Sequence, residues 1–122
     1  MAVQRIALRI SADLKARLSE RVSKDNYGDR GKSRWIREAL VKMLEEDPHM
    51  QRVGQGDKLE EHGESDLVTL SRSFMVWFAD KILEFQMGAP GVPGVRSLLL
   101  RSAIRFRLER PEIFLAKLSS RK

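Results

Sequence analysis

The 122 residues include no cysteine, so neither a disulfide nor a thiolate metal site can form, and a cytoplasmic location costs the chain nothing. Histidine is nearly as scarce. His49 and His62 are the only two, both in the polar middle, which argues against a metal centre. No apolar run approaches the ~18 residues that suggest a membrane span. The opening residues set Arg5 and Arg9 in an alternating pattern and lack the continuous apolar core of a signal peptide, so a cytoplasmic protein is expected. Enzyme constellations are missing too: no serine–histidine–acid arrangement, no Walker-type phosphate loop, no carboxylate pair in an apolar setting. The chain is too small to hide a sizeable cleft, and neither catalysis nor a cofactor is expected.

What the chain does have is charge, unevenly placed. Residues 1–44 carry 11 Lys/Arg against 5 Asp/Glu, a net of +6; residues 45–66 carry 2 against 8, a net of −6; residues 67–122 carry 10 against 4, again +6. Two basic units joined by an acidic strap point to a polyanionic partner, most simply nucleic acid. The length suits one modest domain or two very small ones.

A repeat underlies this charge pattern. Gly31 to Leu44, GKSRWIREALVKML, recurs from Gly94 to Leu108 as GVRSLLLRSAIRFRL, with Ser33 on Ser97, Arg37 on Arg101, Ala39 on Ala103 and Leu40 on Ile104. Each serine is placed to cap a helix, and the apolar residues that follow recur at helical spacing. Upstream, QRIALRIS (Gln4 to Ser11) alternates, with Ile6, Leu8 and Ile10 on one face and Arg5, Ala7 and Arg9 on the other, the pattern of a strand. Ser11 then caps a helix with Asp13 in its first turn and Leu14, Leu18 and Val22 as its stripe. The second copy opens on LVTLSRS (Leu67 to Ser73), with Val68 and Leu70 inward and Leu67, Thr69 and Ser71 outward. A helix carrying Phe74, Trp77, Phe78, Ile82 and Phe85 follows; Trp35 and Trp77 are read as packing residues. The stiff loop MGAPGVPG leads to a helix from about Ser97 to Glu109. The chain therefore divides into a first unit (1–46), a flexible acidic linker (47–65), a second unit (66–110) and a C-terminal helix with a basic tail (111–122), in which Ile113, Phe114, Leu115 and Leu118 are available to the core.

Strand, helix, turn, Gly-x-Ser, helix resembles the ribbon-helix-helix family of DNA-binding proteins, which includes the Arc and MetJ repressors. The resemblance is strong over Val3 to Glu46 and moderate over Leu67 to Glu109. The second strand departs from it by lacking an outward basic residue and by placing Asp66 where the first has Ile6. It implies a mainly α fold with a short two-stranded antiparallel ribbon, two units forming a pseudo-dimer within one chain. It also implies that the ribbon enters the major groove of double-stranded DNA, with Arg5, Ala7 and Arg9 facing bases from one strand and Ser65, Leu67 and Thr69 from the other. An arginine there can bond both acceptors of a guanine, and Leu67 can touch a thymine methyl. The second helix of each unit is expected to hold a phosphate at its start, through Lys32, Ser33 and Arg34 in one unit and Val95, Arg96 and Ser97 in the other. A transcriptional regulator and an accessory protein of plasmid transfer or partition both fit, with self-association on DNA. The alternative is an antitoxin-like module engaging a protein partner through its linker or C-terminal helix as well as DNA.

Overall fold

A computed structural model describes residues 3–28, 30–57 and 61–114. The order of elements is β1 (Val3–Ile10), α1 (Ala12–Lys24), α2 (Lys32–Glu46), β2 (Glu64–Ser71), α3 (Arg72–Gly88) and α4 (Val95–Glu109), a β–α–α sequence run twice in a mainly helical chain. The two strands pair antiparallel with each other inside the chain, Ile6 opposite Val68 and Ala7 opposite Leu67. Alternation decides which way the ribbon faces: Ile6, Leu8, Ile10, Val68 and Leu70 are buried, while Arg5, Ala7, Arg9 and Leu67 stay in solvent.

Local chemistry sets the helix starts. Ser11 and Ser71 sit at equivalent positions in extended conformation, and each hydroxyl accepts the N–H three residues on, from Leu14 at 3.0 Å and from Phe74 at 3.2 Å. At the start of α2 a glycine is obligatory, because a Cβ on Gly31 would lie 2.1 Å from the Tyr27 carbonyl oxygen. Gly94, before α4, has φ +61, where a side chain would be strained.

Pairing lengthens the second strand beyond its sequence signal. β2 begins at Glu64 because an eight-residue β1 gives Glu64, Ser65 and Asp66 partners in Ile10, Arg9 and Leu8, and their weak strand propensity is overridden. Helix α3 likewise runs on through Met87 and Gly88, which the sequence assigned to a loop. It stops at Ala89, whose backbone is held out of the helical region by the ring of Pro90.

The core lies between the ribbon's inner face and the four helices, with α2 against α4 at its centre. Trp35, Ile36, Leu40, Phe78, Leu99, Leu100 and Ile104 are almost wholly buried, each worth roughly 1.5–3 kcal/mol by burial of its apolar surface. Trp35 also donates its indole N–H to Asp25 at 2.9 Å, and Trp77 packs at 5.1 Å against Phe74. The most buried charged side chain, Arg107, enters this core with several partners. Arg107 donates to the Trp35 carbonyl at 3.0 Å and to the Tyr27 hydroxyl at 2.8 Å, and lies over the rings of Phe114 and Trp35. Burial, with the hydrogen bond to Glu38, raises the Tyr27 phenol above its ordinary 10.0, against the opposing pull of Arg107.

The acidic linker is not a free tether. The Asp47 carboxylate accepts the N–H groups of Gln51 and Arg52, Met50 is buried at 7% exposure, and the Gly54 N–H reaches the Ser102 hydroxyl at 3.0 Å. Residues 47–57 are therefore laid along α4 as a strap. Their polar composition hid this, because one methionine is the apolar anchor and the decisive acid, Asp57, is consumed by arginines of α4. Past α4, residues 111–114 begin a further helical turn, with Phe114 edge-on to Phe106 at 6.2 Å. Leu115, Leu118 and the rest of the basic tail lie outside the described residues. Among the described residues no helix is long and apolar enough to cross a membrane, and no cluster of His, Asp or Glu could hold a metal ion.

Candidate nucleic-acid interface

The ribbon register lines up three outward pairs: Arg5 with Thr69, Ala7 with Leu67, Arg9 with Ser65. Arg5 and Arg9 lie four residues apart on one strand, so their Cα atoms are about 13 Å apart. All six share one face; Thr69 is half-buried, Leu67 is 55% exposed and the other four are exposed. The charge on this face comes only from β1. The helix α1 adds a cation beside β2, since Lys15 Nζ donates to the Ser65 carbonyl at 3.1 Å and lies 3.8 Å from the Glu64 carboxylate. Sequence reading missed Lys15 because its place on α1 gave no hint that it reaches the far strand.

The two repeated serines do something other than capping. Gly31 and Gly94 are the N-cap residues, and neither helix has a side-chain cap. Ser33 instead accepts the backbone N–H of Thr69 at 2.9 Å, and Ser97 accepts that of Arg9 at 3.1 Å. Arg9 and Thr69 are equivalent positions when Ser71 is set on Ser11, so this is one bond made twice. The physical need is plain: a two-stranded ribbon leaves outward N–H groups on both edges without a sheet partner. Each serine satisfies one from the opposite half, and each pins the start of α2 or α4 to a flank of the ribbon. Those starts retain backbone donors. Intrahelical bonding begins with Trp35 N–H to the Gly31 carbonyl and Leu98 N–H to the Gly94 carbonyl, leaving the N–H groups of Lys32, Ser33, Arg34 and of Val95, Arg96, Ser97 outside the helical ladder.

The side chains at the two starts differ. Lys32 forms an ion pair with Asp66, a carboxylate that occupies an inward ribbon position opposite Leu8 and also accepts the Leu67 N–H at 2.9 Å. An acid facing a core must be paired, and Lys32, expected to meet phosphate, supplies the charge from a side chain that keeps 31% of its surface exposed. Arg34 is exposed, its guanidinium 4.5 Å over the Tyr27 ring. Val95 is buried at 3% exposure and offers only its backbone. Arg96 is exposed, with no side-chain bond among the described residues.

Arg9 is the most heavily held residue of the face. Besides the bond to Ser97, its carbonyl accepts Arg101 Nη1 at 2.8 Å, and its own Nη2 donates to the His62 carbonyl at 3.1 Å. Arg101 in turn grips Asp57 with Nε at 2.8 Å and Nη2 at 2.9 Å, and Arg105 Nη1 reaches the same carboxylate at 2.6 Å. Burial by itself pushes the Asp57 carboxyl up, but the hydrogen bonds and charges of the two arginines outweigh it and hold the group below its ordinary 3.8. The sequence offered one signal for this cluster, Arg101 and Arg105 four residues apart among the apolar residues of one helix, with nothing to name their partner.

Comparison of the chain with protein-family models, with curated proteins and with solved structures finds no match.

Proposed function

We propose that this chain binds double-stranded DNA sequence-specifically, as two ribbon-helix-helix units fused in tandem. The outward face of the β1–β2 ribbon enters the major groove, and the starts of α2 and α4 meet phosphates on either side. The observation that carries the reading is the register. It sets Arg5, Ala7 and Arg9 beside Thr69, Leu67 and Ser65 on one solvent face while Ser33 and Ser97 fix a helix start to each edge. A two-stranded ribbon fits the major groove, and Arg5 and Arg9 have the donors that a guanine edge accepts. Because the outward positions of one strand carry arginines and those of the other are neutral, the preferred site is asymmetric. The protein is read as a cytoplasmic transcriptional regulator or an accessory factor of plasmid transfer or partition. A protein-binding role through the linker draws less support, since Asp57 is committed to Arg101 and Arg105 within the chain.

Selection of bound duplexes from a random DNA pool tests this. The expected result is an enriched, non-palindromic site bound at least ~10³-fold more tightly than random DNA at physiological salt. A pool that emerges without an enriched motif would overturn the reading.

A further inference from the structure

Three separate contacts hold Arg9, and two of them lead back to the same carboxylate. Arg101 binds the Arg9 carbonyl with one edge of its guanidinium while its other donors close bidentately on Asp57. His62, whose carbonyl receives Arg9 Nη2, sets its ring against Asp57 as well, with Nε2 3.5 Å from Oδ1. The anchor is nearly out of water: the side chains of Asp57, Arg101 and Arg105 are 12%, 9% and 10% exposed. The backbone of Arg9 is thus tied to Asp57 through Arg101, and its side chain is held by a residue whose ring lies against the same carboxylate.

We infer that Asp57 is a positioning residue for DNA recognition, holding the Arg9 guanidinium in its reading orientation before DNA arrives. The inference rests on the reading of the ribbon as a DNA-binding face. The bond to His62 occupies one of the five N–H donors of a planar guanidinium, restricting where it points and leaving the rest for a base edge. Arg5 has no such tie among the described residues, so its side chain must be ordered at the moment of binding. A side chain ordered beforehand loses less entropy on association. The strap therefore sets which arginine of the ribbon contributes most to specificity, and it does so from a residue that touches no DNA.

The test has one arm without DNA and one with it. In the free protein, 15N relaxation of the arginine Nε–H groups is expected to find Arg9 more ordered than Arg5. Asp57→Asn should loosen Arg9 to the level of Arg5, and Asp57→Glu, which keeps the charge, should restore part of the order. With the selected duplex, Asp57→Asn should weaken binding roughly three- to tenfold, as expected for one side chain left to be immobilised. It should leave random DNA unaffected, and it should have no further effect in an Arg9→Ala background. Should Asp57→Asn not fold, His62→Gly takes its place: it keeps the accepting carbonyl but removes the ring that sets it against Asp57, and should loosen Arg9 in the same way. Unchanged Arg9 order in a folded variant overturns the inference, as does an equal loss of binding with Arg9 already removed. Loosened Arg9 in a protein that discriminates no DNA would sink the DNA reading and leave the positioning role standing.

Discussion

Unit one and unit two share a frame and differ in what they place on it. The shared parts are those that build the ribbon: Ser11 and Ser71 as caps, Ser33 and Ser97 as cross-bonds to the opposite strand, and buried Leu18 and Phe78 at matching positions of α1 and α3. The differences lie on the surfaces. The strand of unit one presents two arginines where that of unit two presents Ser65, Leu67 and Thr69, and its inward Ile6 is replaced by Asp66, which needs Lys32. Helix α1 is polar outside, whereas α3 exposes Val76, Leu83 and Met87. Helix α4 is covered by the strap and buries Arg101, Arg105 and Arg107; its counterpart α2 buries no charge. The frame is two-fold, and the faces built on it differ.

The sharpest way to break this comparison is through its shared core. Phe78→Ala and Leu18→Ala, at equivalent and fully buried sites, should each cost about 2–5 kcal/mol in denaturant unfolding, with Phe78 at the upper end. If one is nearly silent, the halves do not share a core. The serine bonds come next. Ser33→Ala and Ser97→Ala each strand one backbone N–H, of Thr69 or Arg9, and should lose about 1–3 kcal/mol apiece and by similar amounts. Clearly unequal losses would mean that the bond is structural in only one unit.

A smaller effect separates the units by pH. Asp57 has no counterpart in unit one. Its carboxyl is held below 3.8 when folded, so its contribution is complete above that value and drains away as acid takes the pH below it and through the folded pKa. The stability of Asp57→Asn should therefore fall less than that of the wild type between about pH 5 and pH 3. A parallel acid limb would show that the two arginines do not favour the ionised form. Smallest of all is the difference between helix starts. Arg96→Ala should lower the salt slope of DNA binding by about one, while Lys32, already paired with Asp66, should contribute less than that. Equal changes would place the Lys32 ammonium on phosphate despite its partner.

Much of the frame was legible in the sequence, because period-two and period-3.6 patterns report directly which side chains face a core. Ile6, Leu8 and Ile10 announced β1 and its inward face, and Ser11 announced the start of α1; Ser71, read as an outward strand residue, also caps α3. The ribbon face was legible for the same reason: once the buried residues were assigned, Arg5, Ala7 and Arg9 had to point outward together. What stayed hidden was every bond between residues far apart in sequence. Ser33 and Ser97 looked like caps because their position fits one, and only the ribbon edge 36 or 88 residues away reveals the N–H that each accepts. The strap read as a free linker because Asp57 draws its hold from Arg101 and Arg105, and a burial pattern within 47–57 could not express that.

The most direct test of the DNA-reading ribbon is the affinity of Arg9→Ala for the selected duplex and for random DNA, measured at one salt concentration. A loss of about 1–3 kcal/mol on the selected site with little change on random DNA is what a side chain reading a base edge predicts. Equal losses on both would mean that Arg9 supplies charge alone, and the ribbon would not be the surface that reads sequence.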